Sequence, residues 1–246
     1  MERAIYDQMR VLQQDHWWFA ARREILAGEI ARLPLPKSAQ ILEAGCGPGG
    51  NLPMLQRFGQ VAAIEPDDNS RAYAAELSGA DVRFGLLPQS APDFGKAFDL
   101  VAAFDMIEHV PDDAGAVARL ADYLKPGGFM VTTVPAYAWM WSDHDAAHHH
   151  KRRYALAAYR RLFDNAGLKV LRASHFNSVL FPPIAAIRLA KNAAGLTGGD
   201  EAMPPKALNG VLKALFGLER GLLRVADLPF GVSILLIAQR PAQAPA

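Results

Sequence analysis

The chain has 246 residues, with 26 Lys and Arg against 25 Asp and Glu, a net charge of +1, 51% hydrophobic types and 21% charged types. That composition is too apolar for a disordered chain and too evenly charged to present a general nucleic-acid surface, so no nucleic-acid partner is expected. A single cysteine, Cys46, excludes a disulfide framework or a Cys-rich zinc site; the charges within residues 1–10 argue against a secretory leader, and no apolar run is long enough to span a membrane, so a cytoplasmic globular protein is expected.

In chain order, residues 1–33 read as helical and carry His16-Trp17-Trp18-Phe19, followed by Arg22-Arg23. Short apolar blocks at 40–44, 61–65, 81–84, 98–104, 129–134 and 168–173 read as buried strands. Amphipathic blocks at 50–58, 69–77, 113–123 and 156–166 read as the helices between them. Strand and helix alternating at this spacing predict βαβ units and a doubly wound, mostly parallel α/β sheet. Residues 177–228 interrupt the rhythm with Pro182-Pro183, a Gly/Pro-rich break at 198–205 and a helix in which Leu208, Val211, Leu212, Leu215, Leu222 and Ala226 recur at about 3.6 residues. A last strand is expected at 231–239, and the tail 241–246 reads as loose. This gives one domain over 1–246, with a helical N-terminal segment (1–36), a core (37–176), an insertion (177–228) and a last strand (229–240).

The first chemical signal is Glu43-Ala44-Gly45-Cys46-Gly47-Pro48-Gly49-Gly50, where a strand runs into a glycine turn and then a helix. Gly45, Gly47 and Gly50 satisfy the dinucleotide spacing G-x-G-x-x-G; Gly45, Gly47 and Gly49 satisfy G-x-G-x-G. A plain βα turn is also open; Glu43 shifts the balance, because a carboxylate just before the glycines repels a pyrophosphate and suits an ammonium group. Glu65, ending the next strand, can accept both hydroxyls of a ribose. A nucleoside joined to an amino acid, without phosphates, fits both acids, and S-adenosylmethionine is such a molecule.

In these residues, and in Phe98-Asp99-Leu100-Val101, Glu108-His109-Val110-Pro111 and Leu124-Lys125-Pro126-Gly127-Gly128 at their spacing, the chain resembles the class I S-adenosylmethionine-dependent methyltransferases. The resemblance implies a Rossmann-like seven-stranded sheet whose last strand is antiparallel. It implies that Gly45, Gly47 and Gly49 face the methionine part of S-adenosyl-L-methionine, that Glu43 holds the ammonium directly or through water, and that Glu65 holds the ribose. Asp105 and Met106 would lie beside the methionine and sulfonium. Relatives often carry an acid after the third strand for the adenine amine; here Gly85-Leu86-Leu87-Pro88 stands in its place, so adenine recognition falls to backbone and apolar contact around Leu86.

The His-Trp-Trp-Phe…Arg-Arg opening is similar to that of a bacterial small-molecule methyltransferase subgroup. It reads either as a helix anchored to the core or as a lid from which Arg22 reaches the cofactor carboxylate, arginine being suited to bidentate carboxylate pairing. After the fifth strand the same subgroup pattern falls on Trp141, Ser142, His144, Asp145, His150, Arg152, Arg153 and Tyr154, with His148 and His149 incidental to it. Three readings stand for this loop: a proton acceptor or substrate-orienting group (His144 or His150, steered by Asp145), a polar loop, and a His/Asp metal site. His144, Asp145 and His150 are taken as the catalytic candidates, and no metal ligand is assigned.

The expected activity is methyl transfer to a small, hydrophobic acceptor, with O- or N-methylation favoured over C-methylation. A non-catalytic cofactor-binding partner of another enzyme and an NAD(P)-dependent oxidoreductase are the alternatives. The helix over 206–226 carries Lys206, Lys213, Arg220 and Arg224 against a single internal acid, Glu219, which would also suit peripheral contact with an anionic membrane. The oligomeric state is left open.

Overall fold

The computed structural model describes residues 3–195 and 202–242. Residues 198–201 of the expected break and the tail beyond 242 therefore lie outside the described residues. Two helices, α1 (Arg3–Asp15) and α2 (Trp17–Ile30), precede the first strand. The chain continues as β1 (Ala39–Ala44), α3 (Leu52–Leu55), β2 (Gly59–Ile64), α4 (Asp68–Ser78), β3 (Asp81–Arg83), β4 (Phe98–Phe104), α5 (Asp113–Asp122), β5 (Leu124–Pro135), α6 (Asp143–Ala147), α7 (Leu156–Asn165) and β6 (Lys169–Phe176). It ends with α8 (Phe181–Ala194), α9 (Lys206–Gly217), α10 (Glu219–Leu222) and β7 (Ser233–Gln239). Tight 3₁₀ turns follow β4 (Ile107–His109) and β5 (Ala138–Met140).

The seven strands form one sheet in the order β3-β2-β1-β4-β5-β7-β6. β7 runs antiparallel to both of its neighbours, and every other pairing is parallel. Strand alternation builds a core on each face. Leu42, Ala44, Val101 and Ala103 enter the layer that includes Val117 and Tyr159, while Ile41, Leu100, Ala102 and Phe104 enter the layer that includes Ile25 and Phe216. Strand order reverses between β1 and β4, and the carboxyl ends of these two strands open the crevice where ligands bind in such sheets.

Three local expectations are corrected. The helix expected over 50–58 is a single turn, α3, because Gly49 (φ +85°) keeps the chain in the preceding turn and Gly59 must already pair with Ala39. A Cβ on Gly59 would lie 2.1 Å from the Ala39 carbonyl oxygen, so the return is as close as glycine allows. β5 starts five residues before the expected 129, with an irregularity opposite Phe98/Leu100 and Gly127 at φ +80°.

The third correction concerns the helix over 206–226, which breaks at Leu218 into α9 and α10. Its inward face is Phe216 and Leu223 with half-buried Leu212; Leu208, Val211, Leu215 and Leu222 of the expected stripe are exposed. Phe216 fixes this rotation by packing between Trp17 and Phe176, each ring 6.0 Å away. The buried Glu219 carboxylate fixes it from the other end, accepting the N–H groups of Asn177 (2.6 Å), Ser178 (2.6 Å) and Val179 (2.8 Å).

Candidate active site

The turn after β1 is shaped by what its glycines must avoid. Gly45 (φ +70°) donates to the Ile64 carbonyl at 2.8 Å, and a Cβ on it would lie 2.2 Å from Cγ of Met106. Gly47 (φ +54°) donates its N–H to Glu65 Oε2 at 2.8 Å, while Oε1 of Glu65 accepts from the Asp67 N–H at 2.9 Å. Burial raises the Glu65 pKa, and those two N–H groups oppose the rise. Glu43 is fully buried. Its Oε1 accepts from Asn51 Nδ2 at 2.8 Å and its Oε2 has no hydrogen-bond partner, so its pKa is pushed up to about 7 by desolvation, with Asn51 and Arg22 opposing.

The N-terminal helices cover this turn. Gln13 Nε2 of α1 reaches the Pro48 carbonyl at 3.4 Å, and Gly50 is close enough that a Cβ would meet Gln13 Oε1 at 2.5 Å. Asn209 of α9 holds the α1–α2 junction from outside: its Oδ1 accepts the Trp17 N–H and its Nδ2 donates to the Asp15 carbonyl, both at 2.8 Å. Arg22 and Arg23 diverge as neighbours on a helix must. Arg23 donates to the Gln13 and Gln14 carbonyls, whereas Arg22 is buried, lies 4.5 Å over the Trp18 ring and pairs with Asp105. Burial lowers the Arg22 pKa to about 10, with Glu43 opposing.

At the end of β4, Asp105 adopts φ +53° and accepts from Arg22 and from Thr133 Oγ1 (3.1 Å). The following 3₁₀ turn buries Glu108, whose two carboxylate oxygens have no hydrogen-bond partner. Desolvation pushes Glu108 up to about 8, and its own backbone N–H, Arg22 and Arg153 act against the rise. Burial, together with His150 and His148, lowers the neighbouring His109 to about 3.

The histidine loop is organised by Asp145. It lies at the third position of α6, where Oδ2 accepts from the Ser142 N–H at 2.9 Å and Oδ1 faces His150 Nδ1 (2.8 Å) and Arg153 Nε (2.7 Å). Burial works against its charge, but His150, Arg153 and Ser142 outweigh it and hold Asp145 below the usual carboxylate range. Burial lowers the His150 pKa, and Asp145 opposes that shift. The helical turn α6 stacks His144 and His148 with ring centroids 4.2 Å apart. His148, incidental on the sequence pattern, is therefore a buried wall of the site, while His149 (φ +57°) is exposed.

These elements enclose a cavity of about 780 Å³. Of the residues expected at the site, Arg22, Gly45, Gly47, Glu65, Leu86, Asp105, Met106, His144 and His150 line it. Glu43, Gly49 and Asp145 stand one layer back: Glu43 behind the lining Asn51, Asp145 behind His150, and Gly49 where a Cβ would lie 2.9 Å from that of Ala74 on α4. The expectation that Gly49 faces the ligand is thus replaced by a packing role. Met9, Gln13, Asn51, Glu108, His109 and His148 also form these walls, beyond the residues that the sequence pattern points to. The His144/His148 spacing on a helical turn was a legible signal for the last of them; the reach of α1 over the turn had none.

Residues 18–173 match the model of the methyltransferase domain family. The chain belongs to that family. The S-adenosylmethionine-dependent class I methyltransferases have the sheet order and antiparallel β7 described above. Among relatives, a trans-aconitate 2-methyltransferase of Variovorax paradoxus is 33% identical over 110 residues, 43% of this chain and 42% of that protein. A ubiquinone biosynthesis O-methyltransferase of Xanthomonas campestris pv. campestris is 36% identical over 104 residues, 40% of this chain and 43% of that one. The match thus spans less than half the length of these curated relatives. Among solved structures, a geranyl diphosphate methyltransferase in complex with S-adenosylmethionine superposes with a TM-score of 0.59 at 19% identity, covering 90% of this chain and 85% of that one. The [4+2]-cyclase SpnF superposes equally well (0.59, 20% identity, 97% and 94%), so at this distance the likeness is one of fold.

The chemistry of these walls suits a cationic, phosphate-free nucleoside. The glycine turn approaches closely, Glu65 is fixed at the end of β2, and Glu43 keeps one carboxylate oxygen unsatisfied behind the lining Asn51. The raised Glu43 pKa sets a testable sign. An acid whose folded pKa lies above its unfolded value contributes stability below the unfolded pKa and loses it as pH rises through the folded one. Glu43→Gln is therefore expected to leave the melting temperature unchanged near pH 4.5 and to raise it above about pH 7, by roughly 1–3 kcal/mol in stability. Thermal unfolding of both proteins at the two pH values measures this; equal differences at both would refute a buried, titrating Glu43.

Proposed function

We propose that the chain transfers the methyl group of S-adenosylmethionine to a hydroxyl or amine of a small hydrophobic acceptor. The observation that carries this is the continuity of one cavity from the glycine turn and Glu65, past Asp105 and Met106, to His144, His148 and His150. The apolar side of its wall comes from Trp17, Trp18, Phe19, Ile184 and Ile187, which is why a hydrophobic acceptor is favoured. One relative carries O-methyltransferase in its name, which supports oxygen as the acceptor atom.

The bound cofactor supplies an electrophilic methyl on a sulfonium whose leaving group is a neutral thioether. What this chain's residues contribute is alignment of the acceptor with that carbon, exclusion of water, and removal of the acceptor's proton. Glu65 fixes the ribose end, Asn51 with Glu43 behind it meets the ammonium, and backbone and Leu86 flank the base. The α1–α2 pair acts as a lid clamped by Asn209, and the Arg22–Asp105 pair braces the wall between lid and sheet. The acceptor's proton passes to the histidine loop, where His144 faces the cavity and Asp145 orients His150.

Calorimetry separates this reading from a nicotinamide enzyme. S-adenosylhomocysteine is expected to bind and NADH to show no measurable heat. Glu65→Ala is expected to weaken S-adenosylhomocysteine by about 10- to 100-fold, because charge-assisted hydrogen bonds are lost at roughly 1.5–3 kcal/mol each before solvent compensation. Full affinity in the folded variant, or micromolar NADH binding, would overturn the assignment. Transfer of a labelled methyl to a panel of hydrophobic phenols and amines then separates an enzyme from a non-catalytic binder.

The exposed face of α9 and α10 supports a second element of the proposal, contact with an anionic membrane. Leu208, Val211, Leu215, Leu218 and Leu222 are exposed, and Lys206, Arg220 and Arg224 stand exposed on the same segment, whose only acid is buried. No helix of the described residues is long and apolar enough to cross a bilayer, so the contact would be superficial. Co-sedimentation is expected with phosphatidylglycerol vesicles, not with phosphatidylcholine ones, and is expected to fall in Val211→Asp/Leu215→Asp. Equal recovery of wild type and variant would refute it.

A further inference from the structure

We propose that Glu108, His109 and His150 hold a divalent transition-metal ion at the acceptor end of the cavity. One donor atom from each of the three lies within 4.8 Å of the others, a spacing that small side-chain movements close to a common centre. The set is two imidazoles and one carboxylate, which suits zinc, iron(II) or cobalt(II) and leaves coordination positions open.

Both histidine donors are already prepared as metal ligands usually are. Metal-binding histidines donate their second ring nitrogen to a carboxylate or a backbone carbonyl, which fixes the tautomer and the ring. His150 directs Nδ1 to Asp145 at 2.8 Å, itself locked by Arg153 and Ser142, so Nε2 is the nitrogen left to bind. His109 is held by a hydrogen bond with the His148 backbone, and its ring stands edge-on to His150 with centroids 4.6 Å apart. Glu108 is the independent observation. It is fully buried, faces the cavity, and neither oxygen has a hydrogen-bond partner, which is costly for a carboxylate and is relieved by a cation.

His144, His148 and His150 form a second set that meets the same distance limit. It contains no carboxylate to offset a double charge, and it would leave Glu108 unsatisfied, so the Glu108 set is the one assigned. The use of the ion rests on the methyl-transfer reading and narrows it to an oxygen acceptor. An acceptor hydroxyl at an open position of the ion has its O–H bond weakened, and the proton passes to solvent or His144. The oxygen lone pair then forms the bond to the methyl carbon as the carbon–sulfur bond breaks, and its electron pair stays on the neutral thioether.

The test uses the full chain, free of any affinity tag and treated with chelator. Co²⁺ is titrated with visible absorption as the readout, and Zn²⁺ by competition with a chromophoric chelator. One ion per chain is expected. Glu108→Gln, close to isosteric, and His150→Ala are each expected to weaken it about 10- to 100-fold or more, while His149→Asn, at the exposed neighbour, leaves affinity unchanged. Absence of stoichiometric binding overturns the proposal. So does affinity that survives Glu108→Gln and is lost in His148→Ala, which would move the ion to the histidine set. Calorimetry with S-adenosylhomocysteine on the same samples keeps the two readings apart. Binding of the ion without the nucleoside would overturn the methyltransferase reading and leave the metal site, and the reverse result would overturn only the metal site.

Discussion

Arg22 neutralises Asp105 and Arg153 neutralises Asp145, which leaves Glu43, Glu65 and Glu108 buried around one cavity without an ion-pair partner among the described residues. Burying a carboxylate in this way is expensive, and the raised pKa values of all three express the cost. Backbone N–H groups offset it for Glu65 and Asn51 offsets part of it for Glu43, while Glu108 has no well-formed hydrogen bond and only its own N–H, Arg22 and Arg153 nearby to oppose the cost. Three buried carboxyl groups whose charged forms lack a cation favour ligands that bring one. An ammonium and sulfonium at one end of the cavity, and a metal ion at the other, answer the same imbalance.

The fold creates that imbalance by bringing together short segments from distant parts of the chain. The carboxyl ends of β1, β2 and β4 deliver Glu43, Glu65 and Asp105 to the crevice where strand order reverses. The 3₁₀ turn after β4 and the helical turn after β5 then face each other across it, with Lys151 donating its N–H to the Glu108 carbonyl at 2.8 Å. The roof is not part of the sheet. It is α1 and α2, held down by Asn209, so the insertion before β7 both closes the site and exposes an apolar, basic face outward. The insertion and the N-terminal helices are joined by Asn209, by Trp17 packed on Phe216 and by the Lys213–Glu24 pair, so the roof and the outer face belong to one packed layer.

Much of this was legible in the residues themselves. Short apolar blocks located every strand, and the charge of Glu43 before the glycines favoured a phosphate-free nucleoside over a dinucleotide. Failures came where tertiary contacts override local pattern. Leu208 to Leu222 carry the helical period of a buried face, yet Phe216, Leu223 and Glu219 win the inward positions because they meet Trp17, Phe176 and the start of the insertion. Gly49 reads as a ligand-facing glycine but makes room for Ala74. Glu108 and His109 were visible only as a family signature. Their burial opposite His150 depends on how two loops pack, which no single segment encodes.

The central claim, that Glu43 is a buried carboxyl group whose charge is completed by an arriving cation, is tested most directly by proton release on ligand binding. S-adenosylhomocysteine is titrated into the protein near pH 7 in buffers of different ionisation enthalpy. An arriving ammonium favours the charged form of Glu43, whose pKa lies at about 7, so a fraction of a proton should be released. The observed heat should then depend on the buffer, and the dependence should vanish in Glu43→Gln. Heat independent of buffer in the wild type, with binding intact, would contradict the account.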